Sequence, residues 1–305
     1  MDDPTVDGNG FHLAQAITAA RYRDEPYPHY VVADAVPVPL YRALGERLPA
    51  DPCIRQDADP GDNHRFSWPA ARALAAPGLD PVWRQFIAAH VSQAFLDGVL
   101  AAFAPQIRAR YPLLEEHMGP LAHWRAGLRN RDGFDRAQVL LDAQICLNSP
   151  VLRQPSSVRG PHLDKPNKLF AGLFYLRPDA DTDTVGGDLL IQRYRDPDAR
   201  FDGSQLDPDA VATVATVPYA ANTLVMFLNG PDSLHAVTPR QPSARSRYFV
   251  NLIGEVPHPL FDLSSRQRPL RSLRRLAGRV GDLVRGRRTA RSEEHTSELQ
   301  SLTNL

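Results

Sequence analysis

The residue pattern predicts an α+β chain, helices first and then a sandwich or barrel of short strands. Three observations carry that prediction. Up to about residue 135, apolar residues recur at helical spacing, as in Trp83, Phe86, Ile87, His90 and Val91. From about residue 136 to 258 the apolar runs shorten and become rich in aromatic and β-branched residues. Turn signals such as Asn229-Gly230-Pro231-Asp232 separate those runs, as in a β-sandwich or barrel.

Taken in order, Tyr30-Val31-Val32 is a short strand and Pro39 to Leu48 a helix. Asp51 to Asn63 is polar and interrupted by glycine and proline, and reads as a loop. Asp80 caps a helix with Pro81 at its first position, running from Val82 to about Phe103. His90 on that helix fits a core or surface histidine better than a ligand. Asn148, in Cys146-Leu147-Asn148-Ser149-Pro150, is read as a turn cap, with a place at a pocket mouth as the other possibility. His162-Leu163-Asp164 reads as part of a strand, and Leu169 to Leu176 as a buried one. Gly186-Gly187-Asp188 is a turn leading into Leu189-Leu190-Ile191. Asn222 to Leu228 is a strand, His235 opens the next, and Arg247 to Gly254 follows a turn around Pro239 to Ser243.

In a strand, residues i and i+2 share a face, so His162 and Asp164 can grip one ion while Leu163 packs behind. His235 lies 73 positions further on. Two imidazoles and one carboxylate form the facial triad that holds non-haem Fe(II) with open positions. With ten histidines in the chain, a single His-x-Asp is weak alone, and both histidines could be plain polar residues at strand ends. A jelly roll holding another metal is a further option.

Several segments in order and at compatible spacing carry a resemblance. These are His162-Leu163-Asp164, Phe174-Tyr175-Leu176, Gly186-Gly187-Asp188-Leu189, Leu224-Val225-Met226-Phe227, His235-Ala236-Val237-Thr238-Pro239 and Arg247-Tyr248. From about Gln144 to Val256, a little over a third of the chain, the sequence resembles the Fe(II)- and 2-oxoglutarate-dependent dioxygenases, in the group that contains prolyl 4-hydroxylases. The resemblance implies a double-stranded β-helix, a cupin-like jelly roll, over residues 136–258. A helical extension over 1–135 would brace it. It implies Fe(II) on His162, Asp164 and His235, and 2-oxoglutarate as cosubstrate. An arginine's planar fork suits the far carboxylate. Arg245 and Arg247 both lie at the family's usual distance after the second histidine, and strand parity puts them on one face; Arg247 is the better match. Where prolyl hydroxylases often carry a tyrosine, three positions before the first metal histidine, this chain has Arg159. That departure puts a prolyl substrate in doubt and makes Arg159 a candidate contact for substrate or cosubstrate, with a structural ion pair as the plainer reading. The implied activity is hydroxylation of a small-molecule or peptidyl substrate with dioxygen, releasing succinate and CO2. The rival from another class is a non-oxygenase, cupin-like module that binds a sugar or metabolite.

Composition agrees with a soluble enzyme. The net charge is zero, so no global field points to nucleic acid. No run approaches the roughly 20 apolar residues of a membrane span. Cys53 and Cys146 form no paired motif, so neither a disulfide framework nor a zinc site is indicated, and a reducing cytoplasm is expected. After Pro257 the composition turns basic. Between Arg266 and Arg288 there are nine arginines and one acid, with Leu270, Leu273, Leu276, Val280 and Leu283 near one helical face. A basic amphipathic helix over 259–290 is expected, solvated or in contact with an anionic membrane surface through 266–288. Residues 291–305 resemble the conceptual translation of a sequencing-adapter read. They are expected to be disordered and are set aside from fold reasoning, His295 included.

Overall fold

The structure is a computed structural model that describes residues 10–196, 199 and 205–263. The expectations for 264–290 and 291–305 lie outside the described residues.

The helices are α1 (Ala14–Thr18), α2 (Val38–Glu46), α3 (Asp51–Arg55), α4 (Ala70–Ala75), α5 (Pro81–His90), α6 (Gln93–Arg110) and α7 (Leu114–Met118). Interleaved with them are β1 (His29–Val32), β2 (Arg65–Trp68) and β3 (Ala126–Leu128). The chain continues as β4 (Val139–Asn148), β5 (Lys168–Tyr175), β6 (Leu189–Tyr194), β7 (Val211–Val217), β8 (Thr223–Leu228), β9 (His235–Val237) and β10 (Arg247–Glu255). The α+β class predicted from the sequence is what these elements form.

Seven strands build the larger sheet, in the order β1-β8-β5-β10-β4-β2 with β3 alongside β4. Its pairs are antiparallel except β3 with β4. β7, β6 and β9 form a second, antiparallel sheet. Alternation along the strands divides the larger sheet into two faces. Leu224 and Met226 of β8, Phe170 and Phe174 of β5, and Val250 and Leu252 of β10 join the helices in the main core. There Phe86 packs on Phe174 and Phe95 on Phe170. Each such buried ring contributes roughly 1.5–3 kcal/mol of transfer free energy. On the opposite face, Ala171, Val225 and Phe227 meet Leu189, Ile191 and Val217 of the smaller sheet. The polar and cationic side chains of the site lie on that inner face.

The structure departs from the sequence reading in four places. The helix expected over Val82 to Phe103 is two: α5 stops at His90, and Ser92 accepts from the Phe95 N–H to cap α6. Both halves keep their apolar residues inward, so periodicity alone runs through the break. Asp80 does cap α5, accepting from the Val82 N–H at 2.8 Å. The polar stretch 51–63 is not all loop, because Pro52 presets the first turn of α3 and Gln56 closes it in the left-handed region. Besides the expected β1, which pairs with β8, the first 135 residues carry two further strands of the larger sheet, β2 and β3, both paired with β4. Finally, His162-Leu163-Asp164 is no regular strand; a single bridge to His235 is its only strand pairing among the described residues.

No single helix among the described residues is long and apolar enough to cross a membrane. Only α5 and α6 together, bent by 47°, have the length and composition. Their Trp83, Phe86, Phe95, Val99 and Phe103 are buried in the core.

Candidate metal centre and its arginine pocket

His162 and His235 face each other across one rung of antiparallel pairing. The His162 N–H donates to the His235 carbonyl at 3.0 Å, and the His235 N–H returns the bond at 3.1 Å. This rung sets the ring centroids 4.1 Å apart. Each ring is then fixed by a carbonyl two residues upstream: Gly160 O lies 2.8 Å from Nδ1 of His162, and Ser233 O 2.9 Å from Nδ1 of His235. A carbonyl only accepts, so Nδ1 carries the proton in both rings and Nε2 keeps its lone pair. Asp164 completes the group, and one ligand atom from each of the three lies within 4.8 Å of the others. All three residues are buried.

Protonation suits a cation. Burial, then the charges of His235 and Arg159, push His162 well below its usual value. Burial likewise lowers His235. Burial acts to raise Asp164, but the charges of Lys168 and the two histidines outweigh it and hold the carboxyl far below its usual range. Lys168 Nζ lies 3.0 Å from its Oδ1. Near neutral pH the site therefore offers two neutral imidazoles and a carboxylate, the donor set of a divalent metal.

Arg247 opens β10 on the inner face, opposite Asn148 of β4. It is 2% exposed. Its guanidinium lies over three rings, 4.9 Å from Tyr175, 4.8 Å from Tyr219 and 4.9 Å from Phe249. Nε and Nη2 of Arg247, the Tyr175 hydroxyl and Asn148 Oδ1 are buried with no hydrogen-bond partner among the described residues. Orphaned buried donors are costly, so such a cluster points to an absent acceptor. Gly187, at φ +85°, lets the backbone run against Arg247; a Cβ there would sit 3.0 Å from Arg247 Cδ.

Arg245 does not join this cluster. It precedes β10, so strand parity does not apply to it. Its Nε pairs with Asp183 at 2.6 Å, and its side chain is 41% exposed. Arg159 is half-buried beside the metal set and close enough for its charge to depress both histidines. A residue the sequence did not disclose is Arg240, 1% exposed. Its Nη1 donates to Ser149 O at 2.9 Å and to Asn63 Oδ1 at 3.3 Å, and its Nε has no partner. An arginine after Pro239 in a polar turn reads as surface, and only its burial reveals it.

No protein-family model matches the sequence, and no curated protein matches it. Solved structures do. A Pseudomonas putida prolyl-4-hydroxylase aligns at 16% identity and a TM-score of 0.39, over 81% of this chain and 100% of that one. A prolyl 4-hydroxylase from Phytophthora capsici aligns at 17% identity and 0.36, over 85% of this chain and 68% of that one. The Fe(II)/α-ketoglutarate-dependent dioxygenase TqaL aligns at 12% identity and 0.37, over 84% and 90%. At such values the likeness is distant, and the functional reading rests on the side chains.

Proposed function

We propose that the chain is an Fe(II)- and 2-oxoglutarate-dependent dioxygenase that hydroxylates a substrate C–H and releases succinate and CO2. One observation carries the reading. A buried two-histidine, one-carboxylate donor set shares the inner side of the fold with a buried arginine whose Nε and Nη2 lack an acceptor among the described residues. Such a pairing suits a ligand with a metal-chelating end and a distant carboxylate.

The residues divide the work. His162, Asp164 and His235 would hold Fe(II), and the carbonyls of Gly160 and Ser233 keep each imidazole turned to offer Nε2. Lys168 keeps Asp164 ionised. Arg247 would take the far carboxylate of 2-oxoglutarate through its two free N–H groups, with the Tyr175 hydroxyl beside it. The rings of Tyr175, Tyr219 and Phe249 hold the guanidinium in place and exclude water around it. Gly187 leaves room for the Arg247 side chain, and Arg240 lies near enough for the two guanidinium charges to repel, which adds to the pocket's demand for an anion. Bound Fe(II) would supply the dioxygen chemistry that couples decarboxylation of 2-oxoglutarate to oxidation of the substrate.

In this reading the two packed sheets form a double-stranded β-helix over about 136–258, braced by the helices of 1–135. The chain works in the cytoplasm, where the free thiols of Cys53 and Cys146 stay reduced and Fe(II) is maintained. The test is succinate release from 2-oxoglutarate with Fe(II), screened over pools of amino acids, peptides, sugars and natural-product scaffolds. Turnover that depends on one pool and is lost in His162→Ala supports the reading. Absence of 2-oxoglutarate binding would favour a non-oxygenase binding module instead.

A further inference from the structure

Two further cations stand at this site without a carboxylate partner of their own among the described residues. The carbonyl of Arg159 accepts from the Val237 N–H at 3.4 Å and from Ser157 Oγ at 3.1 Å, which fixes the residue beside β9. Its side chain makes no ion pair or hydrogen bond among the described residues, although it is half-buried and near Asp164. Arg65 lies on β2 opposite Asn148, and Asn148 is opposite Arg247, so the three form a row across β2, β4 and β10. Arg65 is exposed, with its guanidinium 5.1 Å above the Phe249 ring and Nη2 3.9 Å from Cys146 Sγ. Arg65 and Arg159 are close enough to feel each other's charge.

The described acids nearby do not answer this charge. Asp164 is already held by Lys168 at 3.0 Å and belongs to the metal set. Asp188 accepts from the Tyr219 N–H at 2.8 Å and from the Thr238 hydroxyl at 3.4 Å. A metal ion and the two-carboxylate cosubstrate would roughly cancel each other, with Arg247 in addition, so the excess positive charge remains. Keeping like charges together in a partly desolvated site is unfavourable unless an anion joins them.

We propose that the substrate carries an oxyanion, a carboxylate or a phosphate, which Arg159 and Arg65 seat beside the metal ligands. Their planar forks match either group bidentately. This rests on the dioxygenase reading for the chemistry that follows, and it narrows the substrate to an acidic molecule, excluding neutral sugars and uncharged scaffolds.

The experiment follows the arginine Nε–H signals of the full-length, Zn(II)-loaded protein by NMR, with 2-oxoglutarate present in excess. The probes are N-acetylglycine, inorganic phosphate and, as the uncharged control, N-acetylglycinamide. The expected result is a saturable shift of the Arg159 and Arg65 signals with N-acetylglycine or phosphate and none with the amide. Whichever anion binds more tightly identifies the group. Arg159→Gln should weaken that binding at least tenfold, and Arg159→Lys less. The wild-type spectra decide the matter even where a variant does not fold. The proposal is overturned if neither anion shifts either signal, if the amide acts as the acid does, or if 2-oxoglutarate displaces the probe. A 2-oxoglutarate that leaves Arg247 unshifted while the anions still move Arg159 would instead sink the dioxygenase reading alone.

Discussion

Replacing Arg247 with Met separates a ligand-binding arginine from a structural one. The side chain is buried, and two of its nitrogens have no acceptor among the described residues. In the unliganded protein three aromatic faces offset its charge, each worth about 0.5–2 kcal/mol. Burying an unpaired ion costs several kcal/mol, and well-packed apolar replacements are often neutral or stabilising. Arg247→Met should therefore leave the unliganded melting temperature unchanged or raise it. The bound state should respond in the opposite way. A charge-assisted contact is worth about 1.5–3 kcal/mol, so the variant should bind 2-oxoglutarate roughly tenfold to 150-fold more weakly. At a hundred times the wild-type Kd the ligand stabilises by about 2.7 kcal/mol, roughly 5–10 °C for a domain of this size. For a Kd raised a hundredfold, the same concentration gives about 0.4 kcal/mol, or roughly 1–2 °C. Thermal melts with Mn(II), with and without 2-oxoglutarate, measure both quantities. A variant that keeps the wild-type ligand shift refutes the assignment. An unliganded protein that melts far lower would show that the arginine holds the fold instead.

Other consequences follow from the same geometry. His162→Ala, Asp164→Ala and His235→Ala should each abolish Co(II) binding, read by its visible spectrum, while circular dichroism stays unchanged; normal affinity in any one variant removes that residue from the centre. Gly187→Ala puts a Cβ at positive φ and within 3.0 Å of Arg247 Cδ. It should lower the melting temperature by an amount reflecting about 1–3 kcal/mol of strain and weaken 2-oxoglutarate binding as well; a variant melting and binding as wild type would show that the loop gives way freely. His90 is buried, and its pKa is pushed down to about 3, chiefly by burial. The folded state then binds fewer protons than the unfolded one between about pH 6.5 and 3, so stability is constant above that window and falls through it by up to ~1.4 kcal/mol per pH unit. His90→Gln, which keeps an acceptor for the Leu13 N–H now bonded to Nε2 at 3.0 Å, should flatten that fall; an unchanged acid profile would place the sensitivity elsewhere.

Much of the strand framework was legible because burial on both faces writes itself as continuous apolar runs. Leu169 to Leu176 is offset from β5 by one residue at each end, and Asn222 to Leu228 starts one residue before β8. The metal residues were legible as types in order, yet the geometry expected for them was not the geometry found. His162 and Asp164 were placed by strand parity, whereas one backbone rung and two upstream carbonyls orient the imidazoles. Parity also misled at Arg245 and Arg247, because the strand begins only at Arg247. Arg240 was invisible, since a buried arginine held by carbonyls leaves no mark on hydropathy.

What the sequence could not show is the pattern of unmet polar groups, and that pattern bears most on function. Farther along β4 and β10 the buried polar groups pair: Asn251 donates to Gln144 at 3.0 Å, and Gln144 to Asp142 at 2.9 Å, which also accepts from the Ala70 N–H. These residues lie on the same two strands as Arg247 and Asn148 and at the same parity. The chain is thus able to pair buried polar groups along β4 and β10, and does so until the residues nearest Tyr175 and Tyr219. There Arg247, Asn148 and Tyr175 are left open together. Single unmet atoms occur elsewhere, His29 Nε2 and Gln192 Oε1 among them, but around Arg247 several gather about one guanidinium beside a metal-competent triad. A ligand carboxylate would supply acceptors for Arg247 Nε and Nη2 and for the Tyr175 hydroxyl, whereas Asn148 Oδ1, itself an acceptor, calls for a donor from the same ligand or a water.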